Sequence, residues 1–114
     1  MQAAPMATTS RSKEHIDVRL PINTSSKQER ELGAFARYCV QRIEKDLGER
    51  QQWIVEIDLG GRGYSALVEV RYRDLQLETR GYGQDGPLAI WDAMCRMEQE
   101  LRHSLFASTR AAND

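Results

Sequence analysis

The chain reads as an α+β domain with strand, helix, three strands and helix in that order. Three observations carry this. Apolar residues alternate with period two in four short segments. They recur at helical spacing in two longer ones. Turn and cap residues separate the segments. The expected architecture is a four-stranded sheet with two helices packed on one face. At 114 residues one domain is the natural size.

The first strand begins at His15. Ile16, Val18, Leu20 and Ile22 point one way, and His15, Asp17 and Arg19 the other, as in a half-buried strand. Pro21 points to an outer edge with no hydrogen-bonding neighbour. Asn23 to Ser26 is a turn and cap cluster, and Ser26 with Glu29 fits a capping box. Leu32, Phe35, Ala36, Cys39, Val40, Ile43 and Leu47 then form one apolar stripe, and Gly48 ends the helix.

In the second strand Trp53, Val55, Ile57 and Leu59 are expected inward, with Glu56 and Asp58 in water. The glycines of Gly60-Gly61-Arg62-Gly63 make a turn. Ala66, Val68, Val70 and Tyr72 share a face of the third strand, and Leu75, Leu77 and Thr79 a face of the fourth. Asp85 or Gly86 caps the last helix, which the spacing predicts over about 87–106. Ile90, Ala93, Met94, Met97, Leu101 and Leu105 are its buried stripe, widened by Trp91 and Cys95. The outer sheet face carries Glu56, Asp58, Glu69, Arg71, Glu78 and Arg80, interrupted by Ile54 and Leu67. Residues 1–14 are small and polar and read as a disordered arm, 15–106 as the domain, and 107–114 as a flexible tail.

Composition bounds the function. Sixteen Lys and Arg face seventeen Asp and Glu, a net charge of −1, so the chain lacks the overall basic balance usual for nucleic-acid binders. No apolar run approaches the ~18 residues of a spanning helix, and the N-terminus has no apolar core of signal-peptide length. The expectation is no membrane and a cytoplasmic location. Cys39 and Cys95 lie on apolar helix faces without zinc-ligand spacing, which reads as reduced, buried thiols. No catalytic constellation emerges. His15 and His103 have no nucleophile assigned beside them, and Glu56 and Asp58 belong to a charged lattice with Arg71 and Arg80. Gly81-Tyr82-Gly83 precedes a helix N-terminus but lacks the phosphate-loop pattern. No metal, cofactor or enzymatic activity is expected.

Two segments carry a family likeness. Gly83-Gln84-Asp85 is followed by Leu88-Ala89-Ile90, then Arg96 and Leu101, and Arg42-Ile43-Glu44 lies in the first helix. With the element order, these resemble the short ribosome hibernation-promoting factor and ribosome-associated inhibitor A family, also called the sigma-54 modulation family. The likeness runs from about His15 to His103. It implies a non-enzymatic protein that binds the small ribosomal subunit in the mRNA and tRNA channel and silences translation under stress. Basic residues of both helices would contact rRNA phosphates, which need no sequence readout. Carried onto this chain, these are Arg42 and Arg96, with Arg37, Lys45 and Arg102 as neighbouring candidates.

The chain departs from that pattern in charge. Over Ser26–Leu47 five basic residues face four acidic ones, and over Pro87–Phe106 two face three. Cys39 and Gln99 stand where the family resemblance leads one to expect basic residues. The resemblance is to the short members, so ribosome pairing through the extra dimerisation domain of long family members is not expected. The alternative reading is a protein-interaction or oligomerisation module that keeps the fold without the ribosome, using the outer sheet face at Ile54 and Leu67.

Overall fold

The computed structural model describes residues 8–13, 15–48, 51–72 and 74–113, with side chains over 15–48, 51–72 and 74–104. The elements are β1 (Thr8–Lys13), β2 (Ile16–Pro21), α1 (Ser26–Leu47), β3 (Gln52–Gly60), β4 (Gly63–Tyr72), β5 (Leu75–Gly83) and α2 (Gly86–Asn113). From β2 onward the order is the expected β-α-β-β-β-α of the α+β class. β2 and β3 are parallel, joined across α1, and β3, β4 and β5 form an antiparallel meander.

β1 enlarges that sheet. It pairs antiparallel with β2, from Thr8 opposite Pro21 to Lys13 opposite Ile16, giving the strand order β1-β2-β3-β4-β5. The disordered arm expected over 1–14 is corrected for residues 8–13; its remaining residues, 1–7 and 14, lie outside the described residues. The segment TTSRSK has no apolar alternation because an edge strand need not bury a face. β2 is therefore not the unpaired edge expected from Pro21: β1 occupies that side, and Pro21 lies opposite Thr8 at the end of the ladder, where a missing amide costs least. The flexible tail is corrected too: α2 continues through Asn113, and only Asp114 lies outside the described residues.

The core lies between the sheet and the helices. Ile16, Val18, Leu20, Trp53, Val55, Ile57, Ala66, Val68 and Val70 meet Ala36, Val40, Ile43, Ile90, Ala93, Met97 and Leu101. α2 lies chiefly along β5 and β4, while α1 sits over β2 and beside α2. Small residues set the α2 approach. A Cβ on Gly81 would fall 2.2 Å from the Ala93 nitrogen, and one on Gly83 2.6 Å from the Ala89 nitrogen. The helix backbone therefore rests directly on β5, where the Thr79 hydroxyl donates to the Ala93 carbonyl at 2.9 Å.

The caps differ slightly from expectation. Ser25, not Ser26, is the N-cap of α1; its Oγ accepts from the Gln28 amide at 3.2 Å, so the box is shifted one residue toward the N-terminus. Gly48 ends α1 at φ 80° and donates to the Glu44 carbonyl at 2.7 Å. Asp85 caps α2, accepting from the Leu88 amide at 2.8 Å. That carboxylate occupies the helix N-terminus, so the Gly81–Gly83 strand end leads into a self-capped helix.

Several expected core residues lie outside the core. Ile22 follows the end of β2 and Leu59 lies near the β3–β4 turn, and both are exposed. Trp91 is 40% exposed, and Cys95 is exposed where a buried thiol was expected. Their positions, 91 and 95, fall on the top of α2 once 90, 94, 97 and 101 point at the sheet. Cys39 is buried as expected.

Candidate nucleic-acid interface

The five basic residues singled out by the sequence do not form one patch. α1 and α2 run side by side, and the helical period sorts their side chains into the seam between them and two outer flanks. Arg37 shares α1's outer flank with Gly33 and Glu44. Its guanidinium lies against Gly33, where a Cβ would stand 3.4 Å from Nη1. Arg96 lies on α2's outer flank with Asp92, to which its Nε donates at 3.4 Å. Asp92 also accepts from the Tyr82 amide at 3.0 Å, tying that flank to β5.

Arg42 and Arg102 do meet at the seam. Arg102 Nη2 pairs with Glu98 at 2.8 Å and with Asp46 at 3.3 Å, bridging the two helices. Arg42 Nη2 lies 4.0 Å from the other Glu98 oxygen. Its guanidinium carbon stands 5.1 Å from the centroid of the Trp91 ring. Lys45 is exposed one turn from Arg42 on α1. The seam is thus a string of cations threaded through two carboxylates. Such exposed pairs each contribute about 0–1 kcal/mol to stability and can exchange partners with an incoming phosphate.

Aromatic rings continue the same seam. Phe35 stacks with Tyr38 at 6.4 Å between centroids and meets Trp91 across the helices at 6.3 Å. Tyr38 is 55% exposed, and Leu88, one turn from Trp91, is 51% exposed. The reading of Trp91 as core missed this cluster. The available signal was that 88, 91 and 95 fall together on the face opposite the α2 stripe.

A second feature escaped the sequence reading. Glu44 is buried and accepts three hydrogen bonds. His15 Nε2 lies 2.8 Å from Oε1, while the Gln51 amide at 2.9 Å and the Trp53 indole at 3.0 Å both donate to Oε2. This clamp joins the start of β2, the end of α1 and the start of β3. It fixes the parallel crossover, and it engages His15 in structure rather than chemistry. The signal was Trp53 itself, since a buried indole N–H needs an acceptor. His103 stands apart, exposed on α2.

Among the described residues no group of three or more His, Cys, Asp or Glu is arranged to hold a metal. Cys39 is a buried thiol near Arg42. Burial pushes its pKa up to about 11, against the pull of Arg42 and with a small push from Cys95. The outer sheet face is polar, as expected: Glu56, Glu69, Arg71, Glu78 and Arg80 surround half-buried Ile54 and Leu67. No described helix is long and apolar enough to cross a membrane.

Comparison with known proteins gives a likeness of fold. The chain is similar to the N-terminal domain of Thermus thermophilus Protein Y, with a TM-score of 0.62 and 15% sequence identity over 77% of this chain and 92% of that one. No protein-family model and no curated protein matches the sequence.

Proposed function

We propose that the chain is a non-enzymatic ribosome-associated regulator that binds rRNA of the small subunit through the seam of its two helices. The observation that carries this is the β-α-β-β-β-α fold shared with the Protein Y N-terminal domain. The segments at 42–44 and 83–96, similar to the hibernation-promoting factor family, support it. Cytoplasmic location and a role in stress follow from the same reading.

The seam gives the reading its physical form. Arg42, Lys45 and Arg102 supply the phosphate contacts, while Arg37 and Arg96 lie on the flanks and reach a groove-shaped partner from either side. Asp46 and Glu98 lower the net positive charge. Binding is therefore weaker, and falls less steeply with salt, than that of a lysine-rich helix pair. The outer sheet face supports the second reading, a protein-interaction or homo-oligomerisation module: Ile54 and Leu67 sit half-buried in a charged surround.

Co-sedimentation with 30S and 70S particles separates the two. The first reading predicts the chain in ribosomal fractions at low salt, with loss on charge reversal at Arg42 and Arg102. Absence from those fractions at low salt, together with a concentration-dependent oligomer by light scattering, replaces it with the second.

A further inference from the structure

The aromatic residues at the seam have no part in phosphate contact, yet two of them, Tyr38 and Trp91, are exposed. Trp91 is 40% exposed and Tyr38 55%, with Phe35 bridging them. Single exposed apolar residues are ordinary, but a cluster of rings spanning two helices marks an interaction surface. We infer that this cluster is a stacking platform for an unpaired nucleobase of single-stranded RNA, with Trp91 as the principal face and Arg42 on the adjoining phosphate. This rests on the ribosomal-RNA reading and deepens it by naming the part of the RNA that the seam takes.

Three observations choose RNA over a protein segment. The first is shape. The cavity that Trp91 lines together with Cys39, Arg42, Ile43, Met94, Cys95 and Glu98 is only about 10 Å³, room for no more than one water. A protein anchor needs a pocket to fill, whereas a base needs only a flat ring. The second is the cation already at the ring. Arg42 stands 5.1 Å from the Trp91 centroid with its side chain 48% exposed, and its ion pair with Glu98 is long at 4.0 Å. It can leave the ring face to an incoming base and follow the phosphate. The third is charge. Arg102 is held by both Asp46 and Glu98 at 3.3 Å or less, so Arg42, with its longer 4.0 Å pair to Glu98, is the seam cation that moves most readily to a phosphate beside the ring. Stacking tolerates any base, and it supplies affinity where Cys39 and Gln99 replace expected basic residues.

The test uses the full chain, a mixed-sequence 12-nucleotide RNA, its duplex form, and 30S subunits. Far-UV circular dichroism first establishes that each variant is folded. Trp91→Leu, which keeps apolar bulk without a ring, is expected to weaken single-strand binding about fivefold to hundredfold and 30S binding in parallel. Trp91→Phe keeps a ring and is expected to bind within about threefold of the original chain. Tryptophan emission gives an independent readout, because Trp53 is buried: single-stranded RNA quenches the original chain, and quenching is lost in Trp91→Phe although binding persists. Equal binding by Trp91→Leu and the original chain overturns the inference, even if charge reversal at Arg42 and Arg102 still abolishes 30S binding. Duplex bound as tightly as single strand also overturns it. So does a Trp91-dependent protein complex with no RNA binding. Trp91-dependent binding of single strands without 30S binding upholds the platform and removes the ribosome reading instead.

Discussion

Replacing Glu44 tests the clamp that closes the β2–α1–β3 crossover. Glu44→Ala removes the acceptor for two buried donors, the Gln51 amide at 2.9 Å and the Trp53 indole at 3.0 Å, together with the His15 contact at 2.8 Å. Each buried donor left unsatisfied costs about 1–3 kcal/mol, so the expected loss is about 4 kcal/mol. That is a large fraction of the roughly 5–15 kcal/mol that holds a domain of this size. With a urea m-value of about 1.5 kcal/mol/M, the midpoint falls by roughly 2–3 M. Glu44→Gln separates geometry from charge. The Gln51 backbone amide and the Trp53 indole both donate to Oε2, so an amide oxygen there still accepts from each, while its NH₂ faces His15 Nε2. Its expected cost is about 1 kcal/mol. The assay is urea unfolding followed by far-UV circular dichroism and by Trp53 emission. A Glu44→Ala loss under about 1 kcal/mol, or equal losses for the two variants, refutes the reasoning.

Three further outcomes follow from the packing. Gly81→Ala drives a Cβ to 2.2 Å from the Ala93 nitrogen, so thermal unfolding is expected to show a loss of at least about 3 kcal/mol as α2 is lifted from β5. Glu69 and Glu78 are register partners on β4 and β5, and Glu78→Lys is expected to stabilise by about 0.5 kcal/mol, raising Tm by about 2–3 °C. Cys39 has its pKa raised from 9.0 to about 11 in the folded state. Its contribution to stability is therefore complete below pH about 9 and is lost as pH rises toward 11, because the unfolded chain releases that proton first. Iodoacetamide at pH 8 should accordingly modify exposed Cys95 and leave Cys39 intact until unfolding, as read by mass spectrometry.

The elements were legible where one physical rule governed them. Period-two alternation located β2, β3, β4 and β5, and the stripes at 36, 40, 43 and at 90, 93, 97 located the buried helix faces. β1 was not legible, because the sequence TTSRSK has no apolar alternation and the strand is defined by pairing with β2. The end of α2 was misplaced because the apolar stripe stops at Leu105 while helix propensity carries the backbone on. The site was less legible than the fold. Helical spacing could place Arg37 and Arg96 on outer flanks only once the direction of the sheet was known. That Arg42 would stand over Trp91, and Arg102 between Asp46 and Glu98, depends on how α1 and α2 cross. Helical spacing alone does not single out Glu44; its role depends on the buried Trp53 indole, which donates to it across the crossover.

The most direct test of the ribosomal reading is equilibrium binding of the labelled chain to 30S subunits across salt concentrations from about 50 to 200 mM. Three seam cations, Arg42, Lys45 and Arg102, predict saturable binding whose log affinity falls with log salt at a slope of about −2 to −3. Charge reversal at Arg42 and Arg102 is expected to bring that slope close to zero and to abolish binding at the upper end. Absence of saturable binding at 50 mM salt, or a slope unchanged by those reversals, contradicts the account.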